Sequence, residues 1–366
     1  NQEDYKVWYH RMFPLDINNT EVPALRADSA FSPQLKTLAE NIQVIYFEHL
    51  GGFERYIEAR DYMNTMYDSY GNKALYILNV GMEYMFKEWF DVKHEFKNYE
   101  NMYVWHCNSG PLTQSCDKNW IYVPYWKKFV DIQISKYPPV PVDQRSKQVV
   151  NRKQRMFFWM RRHYPYRVEL LKRLVNSNME MEIRCPHILT ELERPEINEP
   201  LKKHFDNWGK VKQRIISEGQ DLVEGQNGAL VDSYEARAKF QLEIVSETRI
   251  NGGPLSTFAS EKTFRALRSG NLSLYWAQQH HITNLKRKGW KFFDKYIDHS
   301  YDLERDPGRR LRMLNEEISR LYHMSDEQWQ EIWYNTIKDR KHNQERLLHI
   351  DPGLNKFIKR IDAETT

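Results

Sequence analysis

The stretch Phe240 to Trp276, FQLEIVSETRINGGPLSTFASEKTFRALRSGNLSLYW, most constrains what this chain can become. An apolar run, Phe240 to Val245, has the length and composition of a buried strand. It ends at the acidic Glu247, and a loop with Gly252, Gly253 and Pro254 follows. Ser260-Glu261-Lys262 then opens a helix that stops at Gly270, and a second apolar run begins at Leu272. Strand, loop, helix and strand in this order form a unit that binds nucleotides at the carboxyl edge of a parallel sheet.

The helix start carries a conflict. Ser260 is a good N-cap and Glu261 suits the positive end of the helix dipole. Lys262 does not suit it, because a cation in the first turn is disfavoured by up to ~1 kcal/mol. A bound anion reverses that sign, since free N–H groups and a lysine then converge on one phosphate.

The alternation of strands and helices predicts an α/β protein, and 366 residues suit two domains. Strands are expected at Tyr5 to His10, Gln43 to Glu48, Lys73 to Val80 and Met102 to His106, with helices from Ser32-Pro33 and over Phe53 to Met66. Lys136 to Lys153 contains Pro138, Pro139 and Pro141 and then a basic run without periodicity, which reads as a linker. Beyond it a strand is expected at Met156 to Met160, a helix from Pro165 and a strand at Met179 to Ile183. Later helices start at Asp306-Pro307 and at Ser325, where Gln328 completes a capping box. These signals divide the chain into residues 1–135, residues 154–324 and a helical tail, 325–366.

Composition narrows the function classes. No run of 18 apolar residues exists, so no membrane span is expected, and no signal peptide opens the sequence. A cytoplasmic protein is expected, in the host cytoplasm if the source is viral. Cys107, Cys116 and Cys185 form neither a zinc pattern nor a disulfide framework. His280-His281 is no metal signature either, because adjacent residues do not share a face. A net charge of +4 does not by itself identify a nucleic-acid partner.

Two basic elements flank the expected second sheet. Lys262 is one, and the run Arg161-Arg162 to Arg167, just after the strand Met156 to Met160, is the other. In a parallel sheet both fall at the same carboxyl edge. Arginine binds a diphosphate bidentately and lysine binds it as a point charge. Glu261 or Glu247 would accept hydrogen bonds from ribose hydroxyls.

The order Glu247, Ser260-Glu261-Lys262, a small-residue helix ending at Gly270 and an apolar strand resembles the donor-binding core of α-1,3-fucosyltransferases. Tyr122-Val123-Pro124-Tyr125-Trp126 is similar to that family's aromatic-proline segment. The resemblance implies a GT-B fold, two Rossmann-like domains whose parallel sheets face across a cleft. It also implies a nucleotide-sugar donor, an inverting mechanism, no cofactor beyond that donor and no metal required by the fold. On this reading Lys262 and Arg167 bind the diphosphate and Glu261 the ribose, with Arg161, Glu247 and Ser260 around them. The family has Asn after the matched glutamate, where this chain has Thr248.

Glycosyl transfer releases a diphosphate, which fixed cations stabilise. An inverting displacement also needs a base for the acceptor hydroxyl, expected on the first domain. His10 and Glu48, at strand ends, are the candidates, with Asp16 and Glu83 behind them. The acceptor is expected to be a glycan or other small hydroxyl compound. An alternative is a hydroxymethylated base in DNA, as for viral DNA glycosyltransferases, with phosphates tracked by Arg152 to Lys153, Arg161 to Arg167, Lys286 to Lys288 and Arg309 to Arg312. A third reading is a nucleotide- or carbohydrate-binding module without activity.

Overall fold

The computed structural model describes residues 7–11, 43–48, 64–79, 101–106, 108–109, 120–122, 139–145, 155–160, 164–185, 205, 215–216, 237–251, 257–347, 357, 359 and 361. The chain divides into two compact units. One comprises Asn1–Ile132 with His349–Thr366, the other Gln133–Leu348.

In the first unit, strands β1 (Val7–Arg11), β2 (Gln43–Glu48), β3 (Ala74–Asn79), β4 (Met102–His106) and β5 (Trp120–Tyr122) form one parallel sheet. Their composition explains them. Continuous Val, Ile, Leu and Tyr runs suit strands covered on both faces, and Leu75, Tyr76 and Ile77 are buried. The spatial order equals the chain order. Each crossover therefore adds its strand to the same edge. Among the described strands this sheet shows no reversal of order.

The second unit has that reversal. Strands β6 (Met156–Trp159), β7 (Glu182–Arg184), β8 (Ile215–Ile216), β9 (Leu242–Ser246) and β10 (Leu272–Trp276) are all parallel. They lie in the order β8-β7-β6-β9-β10. The chain builds outward from β6 in one direction, then returns to build from β9 in the other. The switch point lies between β6 and β9, and ligands of doubly wound sheets bind in the crevice at the carboxyl ends there.

The second unit also contains α-helices among its described residues. They are α1 (Val142–Arg145), α2 (Pro165–Asn176), α3 (Glu261–Ser269), α4 (His281–Arg287), α5 (Pro307–Tyr322), α6 (Asp326–Asn335) and α7 (Ile337–Arg346). Pro165 sits at the first position of α2, which buries Val168, Leu170, Leu171, Leu174 and Val175. Asp306 caps α5, and Ser325 with Gln328 forms the capping box of α6. Among the described residues no helix is long and apolar enough to cross a membrane.

Two local expectations shift. The strand expected at Met179 to Ile183 lies at Glu182–Arg184, with Met179 and Met181 buried ahead of it. The stretch read as a linker contains α1, and its Arg145 is buried in the second unit. Arg145 donates to the carbonyls of Ser269 at 2.5 Å and Phe240 at 2.7 Å, and to the Asn271 side chain at 2.6 Å. Arg340 donates to the Gly270 carbonyl at 3.1 Å and Gln344 to that of Arg268 at 3.0 Å. The carbonyls that the C-terminus of α3 leaves without a partner in the helix are thus met by cations and an amide, as the helix dipole favours.

Gly270 closes α3 with φ 70°, and a Cβ there would meet Val142 Cγ2 at 2.4 Å. Gly270→Ala therefore combines left-handed strain with a clash. It is expected to destabilise the second unit by about 1–3 kcal/mol, read as a lower unfolding midpoint in denaturant. An unchanged midpoint would contradict this packing.

Candidate functional site

The carboxyl end of β9 delivers Glu247 to the switch point. Its backbone N–H donates to the Trp276 carbonyl at 2.9 Å, which extends the β9–β10 ladder by one residue. The side chain is fully buried, with 0% of its surface exposed. Burial of a carboxylate requires donors, and five are present. Oε1 accepts from the Ser260 N–H at 3.1 Å, the Thr263 N–H at 3.3 Å and the Thr263 hydroxyl. Oε2 accepts from the Thr248 N–H at 2.9 Å and the Ser260 hydroxyl at 2.6 Å. Glu247 is therefore an anion seated at the N-terminus of α3, where partial positive charge favours it.

This corrects one expectation. The first-turn N–H groups do not converge on an open anion position. Thr263 gives its N–H to Glu247, and Lys262 gives its own to Ser260 Oγ at 3.3 Å. With both oxygens engaged, Glu247 anchors the loop and helix start rather than receiving ribose hydroxyls.

Lys262 lies beside that anchor. Its ammonium donates to Glu261 Oε1 at 2.7 Å, Thr248 Oγ1 at 3.2 Å and Ser260 Oγ at 3.3 Å. The side chain is 27% exposed, and that of Glu261 is 18% exposed. Burial would raise the Glu261 pKa, but the charges of Lys262 and Arg265, with a hydrogen bond from Lys262, outweigh it and hold the carboxyl at about 2. The lysine that conflicted with the dipole is thus partly compensated by its own neighbour.

Arg167, in the first turn of α2, approaches the same strand end. Its Nε and Nη2 donate to the Glu247 carbonyl at 3.2 and 2.9 Å. The guanidinium is buried, 5.1 Å from the Tyr164 ring and 5.8 Å from that of Tyr166, which stack on each other. The Tyr166 hydroxyl donates to the Thr248 carbonyl, and Trp276 Nε1 donates to the Tyr166 carbonyl at 3.0 Å. Arg167 acts on the peptide at the strand end.

The fold therefore gathers Arg167, Glu247, Ser260, Glu261 and Lys262 into one hydrogen-bonded cluster. Arg161 lies outside the described residues, as do Asp16, Glu83 and residues 123–126. His10 lies in β1 one residue before its end, and Glu48 ends β2, so both occupy carboxyl ends of the first sheet. Sequence reasoning missed Thr248, Thr263, His281 and Tyr166. Among the described residues no group of three or more His, Cys, Asp or Glu side chains could hold a metal ion.

His281 extends the cluster. Its Nε2 lies 3.0 Å from Thr263 Oγ1. Since the Thr263 proton goes to Glu247, the imidazole is the donor and carries its proton on Nε2. Burial lowers its pKa, while the Glu247 and Asp302 charges pull the other way, so the ring is neutral. Of the basic runs offered for DNA phosphates, Arg152, Lys153, Arg161 and Arg162 lie outside the described residues, and three residues of the later runs have partners within the protein. Lys286 pairs with Asp294 at 2.5 Å, Arg309 pairs with Glu304 at 3.1 Å, and Arg310 is buried against the carbonyls of Glu304 and Ile250.

No family model and no curated protein sequence matches the chain. Solved structures do align with it. An alpha1,3-fucosyltransferase aligns over 87% of this chain and 78% of its own, at 9% identity and a TM-score of 0.38. An apo structure of OtsA aligns over 90% and 78%, at 10% identity and 0.38. The Glycosylation Associate Protein (Gap123) complex from Streptococcus agalactiae aligns over 84% and 53%, at 12% identity and 0.39. At these values the likeness assigns neither a family nor an activity.

The two depressed pKa values set a pH dependence. His281 and Glu261 each bind fewer protons folded than unfolded near their ordinary values, so stability falls with pH below those values. The His281 contribution is complete above its ordinary value of 6.5 and is lost as pH falls below it. That of Glu261 is complete above 4.5 and is lost as pH falls toward about 2. Thermal melts across pH should show His281→Gln removing the first slope and Glu261→Gln the second. Parallel wild-type and variant profiles would contradict the assignment.

Proposed function

We propose that the chain is a nucleotide-sugar-dependent glycosyltransferase of the GT-B kind, moving a sugar to a hydroxyl acceptor with inversion. One observation carries the reading. A partly exposed lysine, coupled to a carboxylate held ionised, stands at the carboxyl edge beside the switch point of a doubly wound parallel sheet.

The chemistry follows from the cluster. The Lys262 ammonium gives two of its hydrogen bonds to hydroxyls at 3.2 and 3.3 Å and one, shorter, to Glu261. A phosphate oxygen replaces a long hydroxyl contact at little cost, since a charged acceptor strengthens the bond. Glu261, an acceptor at neutral pH, suits ribose hydroxyls. The buried Arg167 adds fixed positive charge at the same strand end. Charge that develops on the leaving group then meets cations already in place. Inversion also needs a base for the acceptor hydroxyl, for which His10 and Glu48 are the candidates.

Thermal melts with UDP, GDP and CMP test the donor site. The matching nucleotide at 100 times its Kd should add about 2.7 kcal/mol of stability. Lys262→Ala should abolish the shift while leaving the unliganded melt within a few degrees of wild type. A shift that survives in Lys262→Ala would contradict the phosphate assignment. Slow hydrolysis across a panel of sugar nucleotides then names the donor.

A further inference from the structure

The cluster has a buried inner half. Glu247, Thr263 and His281 form a chain of hydrogen bonds, with 0%, 0% and 1% of their surfaces exposed. Each hydroxyl in it has one proton and limited acceptor room. With His281 Nε2–H on one side of Thr263 Oγ1, the hydroxyl proton is directed to Glu247 Oε1. Glu247 Oε2 in turn receives the Thr248 N–H at 2.9 Å, and Thr248 Oγ1 receives the Lys262 ammonium at 3.2 Å.

Several features hold the imidazole in that place. His280, immediately before it, has φ 62°, the one non-glycine left-handed residue among those described. A side chain there costs about 1 kcal/mol unless the surroundings enforce it. Here the His280 N–H donates to the Asp302 carbonyl at 2.8 Å. The Asp302 carboxylate then caps α4 by accepting from the N–H groups of Ile282 and Thr283, each at 2.9 Å. The His281 ring packs 5.4 Å from that of Tyr275 on the neighbouring strand β10. The strained turn and the cap together aim a neutral donor at Thr263.

We infer that His281 is a positioning residue for Lys262, acting through Thr263 and Glu247. Residues of α4 thereby set the geometry of the anion-binding lysine without meeting the ligand. This rests on the donor-site reading for its biological meaning, but not for its test.

The test compares His281→Phe and Thr263→Val, which keep shape and remove the polar groups, with His281→Gln and Thr263→Ser, which retain a donor and a hydroxyl. The first readout needs no ligand. It is the rate at which Lys262 is acylated by a succinimidyl ester, followed by mass spectrometry. His281→Phe and Thr263→Val should change that rate by roughly threefold or more, the double variant should do no more than either single one, and the conservative variants should restore it. The second readout is the Kd for GDP and for UDP by calorimetry. Here the polar-group deletions should weaken binding by about tenfold and the conservative variants by less than about threefold. Wild-type acylation rates in folded His281→Phe and Thr263→Val, or effects that add in the double variant, would overturn the inference. If Thr263→Val fails to fold, His281→Phe against His281→Gln decides alone. A wild-type protein that binds neither of these nor CMP counts against the donor site, while the acylation rates still decide the relay.

Discussion

A carboxylate buried at the positive end of a short helix organises the second unit. Glu247 belongs to the strand end, and the five groups that solvate it belong to the following residue and to the start of α3. Removing it from water without them would cost several kcal/mol. Strand, loop and helix are therefore tied at one point. The same tie fixes Ser260 as N-cap and sets Thr248 and Lys262 side by side at the sheet edge.

The other end of α3 is treated in the opposite sense. Arg145, Arg340 and Gln344 take the carbonyls of Arg268, Ser269 and Gly270. Burial brings the Arg145 pKa down to about 10, and burial with the like charge of Arg145 lowers that of Arg340. The nine-residue helix thus has an anion at its positive end and cations at its negative end, both matched to its dipole. Arg340 also lies 3.5 Å from the centre of the Trp333 ring, which offsets part of its desolvation. A helix fixed at both ends is a suitable base for a ligand-binding lysine, because little of the binding energy goes into ordering the support.

Much of this was legible in the sequence where local signals decide. Ser260, Gly270, Pro165 and the Ser325–Gln328 box mark helix ends through backbone chemistry confined to a few residues. The strands Gln43–Glu48 and Met102–His106 stand out because both faces are apolar or aromatic. Strand order is different in kind. It depends on which way each crossover turns, so the sequential order of the first sheet and the reversal in the second had no signature in composition. Residues 142–145 read as linker because a four-residue helix with one buried apolar side chain, Val142, has no periodicity, and Arg145 is held by carbonyls distant in sequence. Glu247 read as a ligand group because a loop acid looks the same whether it faces water or a helix N-terminus. Thr263 and His281 gave no signal, since their partners lie 16 and 18 residues away across the fold.

The measurement closest to the central claim is amide hydrogen exchange over the peptides covering residues 247–263, in wild type and in Glu247→Gln. Glutamine keeps the shape but places an NH2 group against N–H donors that need an acceptor. In the wild type, the amides of Thr248, Ser260 and Thr263 should exchange as slowly as those of β10, and in the variant they should exchange faster by a factor of ten or more, as expected for about 1.4 kcal/mol of lost protection. Equal exchange in the two proteins would show that the carboxylate does not hold the strand end to the helix.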